Sequence, residues 1–130
     1  MTENKKVSAQ EAGILAEKAA IDYLVIKGYA IKELRWKPMQ GKGEIDIIAA
    51  IDNIIVFVEV KARTSGVEEA IAAVDRRKAR NMSLGADKYL RQQQYWYHYR
   101  YDIIAVDLSE EPYKIEHIAD AFLSPLFSQK

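Results

Sequence analysis

At 130 residues, with 19 basic and 19 acidic side chains, the chain has material for one domain around one sizeable core and no net charge to steer it toward polyanions, so any nucleic-acid binding must come from a local patch. The absence of cysteine excludes disulfides, thiolate catalysis and cysteine-zinc sites. A polar start without an apolar h-region, and no apolar run near the length of a membrane span, lead to the expectation of a soluble, cytoplasmic protein with no membrane partner.

Residues 1–7 read as a loose tail and residues 8–130 as a single domain. Ser8 followed by Glu11 matches a capping box, and Gly28 suits the position after a helix end, which predicts a helix over residues 9–27. On a helical projection Ile14, Ala20, Ile21, Leu24 and Val25 share a face, with Glu17 in the middle of it. A carboxylate there costs free energy unless it is paired, hydrogen-bonded or bound to a cation. Glu17 therefore either pairs with a structural arginine or points into a site beneath the helix. Tyr29 to Trp36 reads as a strand, and Lys37 to Lys42, with Pro38, Gly41 and the following Gly43, as a connection. Lys37 and Lys42 are candidate phosphate contacts there, against the plainer reading of solvated loop lysines.

The stretch from Gly43 to Lys61 concentrates the chemistry. Two β-branched runs meet at Asp52-Asn53, and each carries charged residues two apart: Glu44 and Asp46 on the first, Glu59 and Lys61 on the second. Strand side chains alternate faces, so each pair projects from one face. If Asp52-Asn53 closes a two-residue hairpin, Asp46 lies opposite Glu59 and Glu44 opposite Lys61. Cross-strand neighbours sit roughly 5 Å apart at Cβ. Like charges about 4 Å apart repel by roughly 4 kcal/mol at an effective dielectric of 20, and Lys61 offsets only part of that. Three carboxylates with one lysine on apolar strands suggest a site for a hard divalent cation such as magnesium. One further loop residue would move one pair to the opposite face.

Beyond the hairpin, Arg63 extends the face of Glu59 and Lys61. Val67 to about Gln93 has a helical pattern, with a break near Asp75, which could cap a segment beginning at Arg76. Arg76, Arg77, Lys78 and Arg80 cluster at its start, as a solvated face or a phosphate-binding patch. Tyr95 to Leu108 reads as a long strand. Its Tyr95, Tyr97, Tyr99 and Tyr101 share a face that could stack bases, form a homodimer seam or pack internally. Tyr113 to Ile118 reads as a last strand, followed by the apolar AFLSPLF. His98 and His117 stand apart from any partner in sequence and read as surface or sheet histidines.

The candidate reaction is metal-assisted hydrolysis. Asp46 and Glu59 would hold one or two magnesium or manganese ions, with Glu17 and Glu44 completing or tuning the shell. Lys61, kept protonated by the carboxylates around it, would stabilise hydroxide and the charge developing on phosphorus. The chain contains no Gly-rich phosphate loop, no Gly-x-Ser-x-Gly and no HExxH motif.

Asp46, followed by Glu59-Val60-Lys61 on the next strand, resembles the PD-(D/E)xK signature of restriction-endonuclease-like nucleases. Glu17 on the preceding helix is similar to the extra acidic residue of Holliday-junction-resolvase-like members. More narrowly, Gly13-x-x-x-Glu17-x-x-Ala20, Gly43-Glu-Ile-Asp-Ile-Ile-Ala49, Val56-Phe-Val-Glu-Val-Lys-Ala-Arg63, Val74-Asp-x-x-Lys78 and Arg100-x-Asp102 follow the order of the bacterial YraN-like family of predicted endonucleases. The proline of the PD pair is absent, with Ile45 standing before Asp46. This resemblance implies an α/β fold with an α-β-β-β-α-β core, a three-layer sandwich around a mixed sheet. It carries metal and catalytic roles to Glu17, Asp46, Glu59 and Lys61, and makes Lys78 and Arg80 the preferred nucleic-acid contacts, beside Arg63 and Lys42. The expected function is a magnesium-dependent endonuclease acting on DNA ahead of RNA, with branched or damaged DNA as candidate substrates. The alternatives are a nucleic-acid-binding or scaffold protein that keeps the fold without turnover, and a homodimeric interaction module built on the tyrosine ladder.

Overall fold

A computed structural model describes residues 8–63, 76–93 and 98–121. In chain order these form α1 (Ala9–Ile26), β1 (Ala30–Trp36), β2 (Ile45–Ile51), β3 (Ile54–Arg63), α2 (Arg76–Arg91), β4 (His98–Asp107) and β5 (Lys114–Ile118). Ser8 caps α1: its Oγ accepts from the Glu11 N–H at 3.1 Å and donates to Glu11 Oε1 at 3.1 Å, which stands in place of the reciprocal backbone bond of a full capping box. Gly28 follows α1 with φ +97°, a conformation that favours glycine.

The five strands lie in the order β1-β2-β3-β4-β5. All pairs are antiparallel except β3 with β4, whose parallel pairing requires a crossover, and α2 lies within it. The β2–β3 hairpin has the expected register, from Ile51↔Ile54 through Ile47↔Val58, with Asp52 at the turn taking φ 54°.

Alternation along the strands divides the core into two layers. On one face Ala16, Ala20 and Leu24 of α1 pack on Ile47, Ala49, Val56, Val58, Ile104 and Val106. On the other, Met82, Ala86 and Tyr89 of α2 pack on Ile45, Ile48, Ile55, Phe57 and Tyr101. The result is the expected three-layer mixed α/β architecture. Residues 55 to 59 of β3 are buried throughout, as a central strand covered on both faces should be.

Two expectations shift in detail. The buried stripe of α1 runs through Ala16, Ala20 and Leu24, spaced four apart, and Ile14 and Val25 are half exposed. Small side chains at 16 and 20 let the helix axis approach the sheet, and this outweighs the bulkier residues as a choice of face. Of the two described tyrosines of the ladder, Tyr99 is exposed and Tyr101 is packing. Tyr101 is 4% exposed and rests on Phe57 at a ring separation of 5.8 Å, on a strand interior to the sheet. That leaves it no surface for a base or a second chain. Tyr95 and Tyr97, residues 64–75, the first seven residues and the AFLSPLF segment after Ala121 lie outside the described residues. Among the described residues no helix is long and apolar enough to cross a membrane.

Candidate metal and active site

The ladder between β2 and β3 ends at Ile47↔Val58, one pair short of Asp46 and Glu59. Beyond it the strands part, and the side chain of Asp46 takes over from the backbone. Its Oδ2 accepts from the Val60 N–H at 2.9 Å, which satisfies a donor that the opened ladder would otherwise strand. Ile45 and Ile48 both face α2, so alternation along β2 breaks at Asp46. Asp46 consequently lines cavities on both sides of the sheet. Glu44 lies before β2, exposed, outside the ladder, and also lines both cavities. The opposition of Glu44 to Lys61 expected from a continued hairpin is lost because the strands separate before reaching it.

Glu59 and Lys61 project on the α2 side, and a second lysine joins them. Lys78 Nζ lies 2.8 Å from Glu59 Oε2, and Lys61 Nζ lies 3.4 Å from the same oxygen. Glu59 is almost wholly buried, Lys61 largely so, and Lys78 about half exposed. Burial, then the charge of Glu59, pushes the Asp46 carboxyl up to about 7, against a smaller lowering by the Val60 hydrogen bond and the Lys78 charge. Burial pulls Lys61 below its ordinary value, and the neighbouring Lys78 ammonium adds to this more than Glu59 can offset. The sequence reading expected carboxylates to hold the Lys61 proton in place and did not count a second ammonium. For Lys78, burial works against the charge, but the bonds to Glu59 and Lys61 and the carboxylate charges outweigh it and raise its pKa.

The approach of α2 that brings Lys78 here depends on two glycines. A Cβ on Gly85 would stand 1.9 Å from the Gly43 carbonyl oxygen, and one on Gly43 would stand 2.6 Å from Gly85 Cα. Gly43 also has φ +134°. Lys78 and Gly85 are seven residues apart and share a helix face. One turn further, Lys88 Nζ donates to the Gln40 carbonyl at 2.9 Å and fixes the preceding loop. Between loop and helix lies an open groove of about 630 Å³, lined by Lys37, Lys42, Arg77 and Lys78 together with Asp46 and Glu59. Arg80 is exposed on α2 but does not line this groove, where Arg77 does. Arg63 is half-buried, and its Nη1 donates to the Ala62 carbonyl at 2.8 Å.

Glu17 sits on the α1 side, across the sheet from Glu59. Its carboxylate accepts from Arg35 Nε at 3.1 Å, so the apolar stripe is interrupted by a paired group. Arg35 takes φ 48° inside β1, just after the register shift of that strand. Glu17 shares a cavity of about 300 Å³ with Arg35, Asp46 and Glu44. Asp46, at the opening between the strands, faces both this cavity and the basic groove beside Glu59, as does the exposed Glu44. Asp46 and Glu59 are thus the carboxylates that could hold a divalent cation together. Among the described residues no group of three or more His, Asp or Glu side chains converges on one point.

His117 lies on β5, a sheet histidine as expected, but it is not without partners. His117 Nε2 lies 2.6 Å from Asp102 Oδ2 and Nδ1 lies 3.2 Å from the Tyr23 hydroxyl. Asp102, fully buried, also accepts from Arg100 Nε at 3.0 Å and from the Asp120 N–H at 2.9 Å, while Arg100 Nη2 donates to Tyr29 at 2.7 Å. Burial would raise the Asp102 pKa, but these donors outweigh it and hold the carboxyl below its ordinary value. An ionised carboxylate only accepts, so Nε2 carries a proton toward it. The network ties α1, Tyr29 just before β1, β4 and β5 on the face opposite Glu59. Its one local signal is Arg100-x-Asp102, a charged pair on one face of an otherwise buried strand; the partners are remote in sequence.

The family model that matches residues 16–106 is described as uncharacterised protein family UPF0102. Full-length relatives carry the same name. A UPF0102 protein of Caldanaerobacter subterraneus subsp. tengcongensis is 42% identical over 125 residues, covering 91% of this chain and 99% of its own. One of Bacteroides thetaiotaomicron is 38% identical over 118 residues, with coverage of 90% and 96%. One of Alkaliphilus oremlandii is 37% identical over 123 residues, with coverage of 92% and 99%. The match takes in α1 from Ala16, both strands of the hairpin, α2 and nearly all of β4. The chain belongs to the uncharacterised protein family UPF0102.

Proposed function

We propose that the protein is a magnesium- or manganese-dependent endonuclease that hydrolyses phosphodiester bonds of nucleic acid, with DNA ahead of RNA and branched or damaged DNA as the first substrates to test. The observation that carries this is the meeting of Asp46 and Glu59 where β2 and β3 part, with Lys61 on Glu59 and a basic groove alongside. The resemblance of Asp46 and Glu59-Val60-Lys61 to the PD-(D/E)xK signature, and of the motif order to YraN-like predicted endonucleases, supports it and supplies the preference for DNA.

The donor set suits a hard divalent cation. Burial, and then the charge of Glu59, pushes the Asp46 carboxyl up to about 7, so the pair is short of positive charge, and two ammoniums stand on Glu59. Magnesium characteristically uses one or two carboxylates and completes its shell with water and substrate phosphate oxygens, so a third convergent acid is not required. A bound cation would supply Lewis-acid polarisation of a phosphate oxygen and a water of lowered pKa.

The chain's own residues do the rest. Asp46 is held in orientation by the Val60 N–H, so its second oxygen is directed without rotamer search. Lys61 stabilises negative charge that grows on the phosphate oxygens during attack; burial around it strengthens that interaction. Lys37, Lys42 and Arg77 neutralise flanking phosphates along the groove, a local patch that compensates for a chain without net charge. Glu17 and Arg35 line the cavity on the other side of Asp46.

A second reading, a nucleic-acid-binding protein without turnover, is favoured by one observation: the two converging carboxylates already carry two ammoniums. A cleavage assay separates the two. Purified protein with magnesium or manganese is expected to cut at least one of single-stranded, duplex or branched DNA, and Asp46→Ala to abolish cutting. Salt-sensitive binding without cleavage, unaffected by Asp46→Ala, would establish the second reading.

A further inference from the structure

The closest ionic contact in the site is made by a residue of α2. Lys78 Nζ, at 2.8 Å from Glu59 Oε2, is nearer to that carboxylate than Lys61 on the same strand at 3.4 Å. It also feels the charge of Asp46. Its side chain is 43% exposed and lines the basic groove, whereas Glu59 is 3% exposed. One ammonium on a flexible stem therefore spans the space between the carboxylate pair and the groove, and it can reach either.

We propose that Lys78 is a built-in cation that occupies the Asp46–Glu59 pair until substrate arrives, so that divalent metal and a nucleic-acid phosphate load the site together. This rests on the metal-dependent reading above. Glu59 Oε2 already carries two ammoniums, Lys78 at 2.8 Å and Lys61 at 3.4 Å, so a metal ion arriving at Asp46 and Glu59 would be a third cation there, and its repulsion displaces the more exposed of the two, Lys78. A phosphate in the groove, which Lys78 lines, offers the displaced ammonium an anion. A phosphate that draws Lys78 away leaves the two carboxylates short of positive charge and raises their affinity for metal. The two events are thermodynamically linked: each ligand tightens the other by the same factor. Lys61 cannot play this part. It is 17% exposed and belongs to the strand that carries Glu59, with no comparable access to the groove.

The packing of α2 sets the reach of the device. The Gly43–Gly85 contact and the Lys88 bond to Gln40 hold the helix against the loop, so Lys78 exchanges partners by side-chain rotation while the helix stays in place. Protein without nucleic acid would then bind metal weakly despite two well-placed carboxylates, which limits idle metal loading.

The test is calorimetric titration of manganese into the full chain, alone and with saturating thymidine 3′,5′-bisphosphate, which has no phosphodiester bond to cut. The proteins are wild type, Lys78→Met, Lys78→Gln and, as a charge-matched control remote from the site, Arg91→Met. Expected are a manganese affinity in wild type about tenfold tighter with the nucleotide than without, and in both Lys78 variants about tenfold tighter than wild type without nucleotide, a change worth roughly 1.4 kcal/mol. The nucleotide should then add clearly less in those variants, and Arg91→Met should titrate like wild type. Using two neutral variants guards against one that folds poorly. Wild type that binds manganese while both Lys78 variants bind no tighter overturns the proposal and leaves the metal reading standing. No manganese binding by any protein, with or without nucleotide, overturns both.

Discussion

Replacing Asp46 by asparagine should stabilise the metal-free protein, and the gain should depend on pH in a defined way. Asp46 has its carboxyl pushed from the ordinary 3.8 to about 7, first by burial and then by Glu59. The unfolded chain releases this proton near 3.8 and the folded chain near 7, so between those values the folded state holds a proton that the unfolded state has lost. Stability contributed at this position is therefore present below about pH 4, falls as pH rises, and is fully lost above about pH 7. At 1.36 kcal/mol per pH unit the ionised carboxylate disfavours the metal-free fold by at most about 4 kcal/mol, and solvent reaching the part-exposed side chain reduces this to about 2–4 kcal/mol. Asparagine keeps an oxygen for the Val60 N–H, at 2.9 Å in the wild type, and carries no charge. Urea denaturation in the presence of a chelator, at pH 4 and pH 8, measures the difference. The variant should be more stable than wild type by about 2–4 kcal/mol at pH 8, and by under about 1 kcal/mol at pH 4. Saturating magnesium at pH 8 should stabilise wild type and leave the variant unmoved. A variant less stable than wild type at pH 8, or a gain independent of pH, would refute the reasoning.

Other perturbations follow from the same geometry. Asp102→Ala leaves Arg100, His117 and the Asp120 N–H without their buried acceptor and should cost about 3–5 kcal/mol in chemical denaturation. Gly85→Ala places a Cβ 1.9 Å from the Gly43 oxygen; α2 must shift, with an expected loss of about 1–3 kcal/mol in chemical denaturation. Gly13→Ala, in α1 with open space around its Cα, should instead gain up to about 1 kcal/mol in thermal unfolding. Lys61→Met should reduce cleavage by at least about a hundredfold while DNA binding measured by anisotropy changes little, because Lys61 acts at the reacting phosphate and the groove residues hold the flanks.

Much of this fold is legible locally. Ser8 with Glu11 and Gly28 bound α1 because capping is a matter of adjacent residues. The hairpin register follows from period 2 and a two-residue loop, and it places Asp46 level with Glu59. What local periodicity does not contain is where the ladder stops. The opening at Asp46 removes Glu44 from the expected array and lets Asp46 face both sides of the sheet. Faces explain Glu17 as well: a helix packed on Val56 and Val58 lies across the sheet from Glu59, so its carboxylate meets Arg35 on its own side. Lys78 was visible as a basic residue, but its place on Glu59 depends on how closely α2 approaches, and two glycines forty-two residues apart decide that. The Asp102 network is least visible, since Tyr23, Tyr29, Arg100 and His117 come from α1, the connection before β1, β4 and β5, which meet only after the sheet forms.

The claim on which the rest depends is that Asp46 and Glu59 together hold a divalent cation, and anomalous diffraction from crystals of the full chain grown with manganese and thymidine 3′,5′-bisphosphate tests it most directly. The account predicts an anomalous peak coordinated by both carboxylates, with Lys78 Nζ moved off Glu59 from its metal-free position 2.8 Å away and onto a phosphate oxygen. Nucleotide bound in the groove with no peak at Asp46 and Glu59, and with Lys78 still on Glu59, would contradict it.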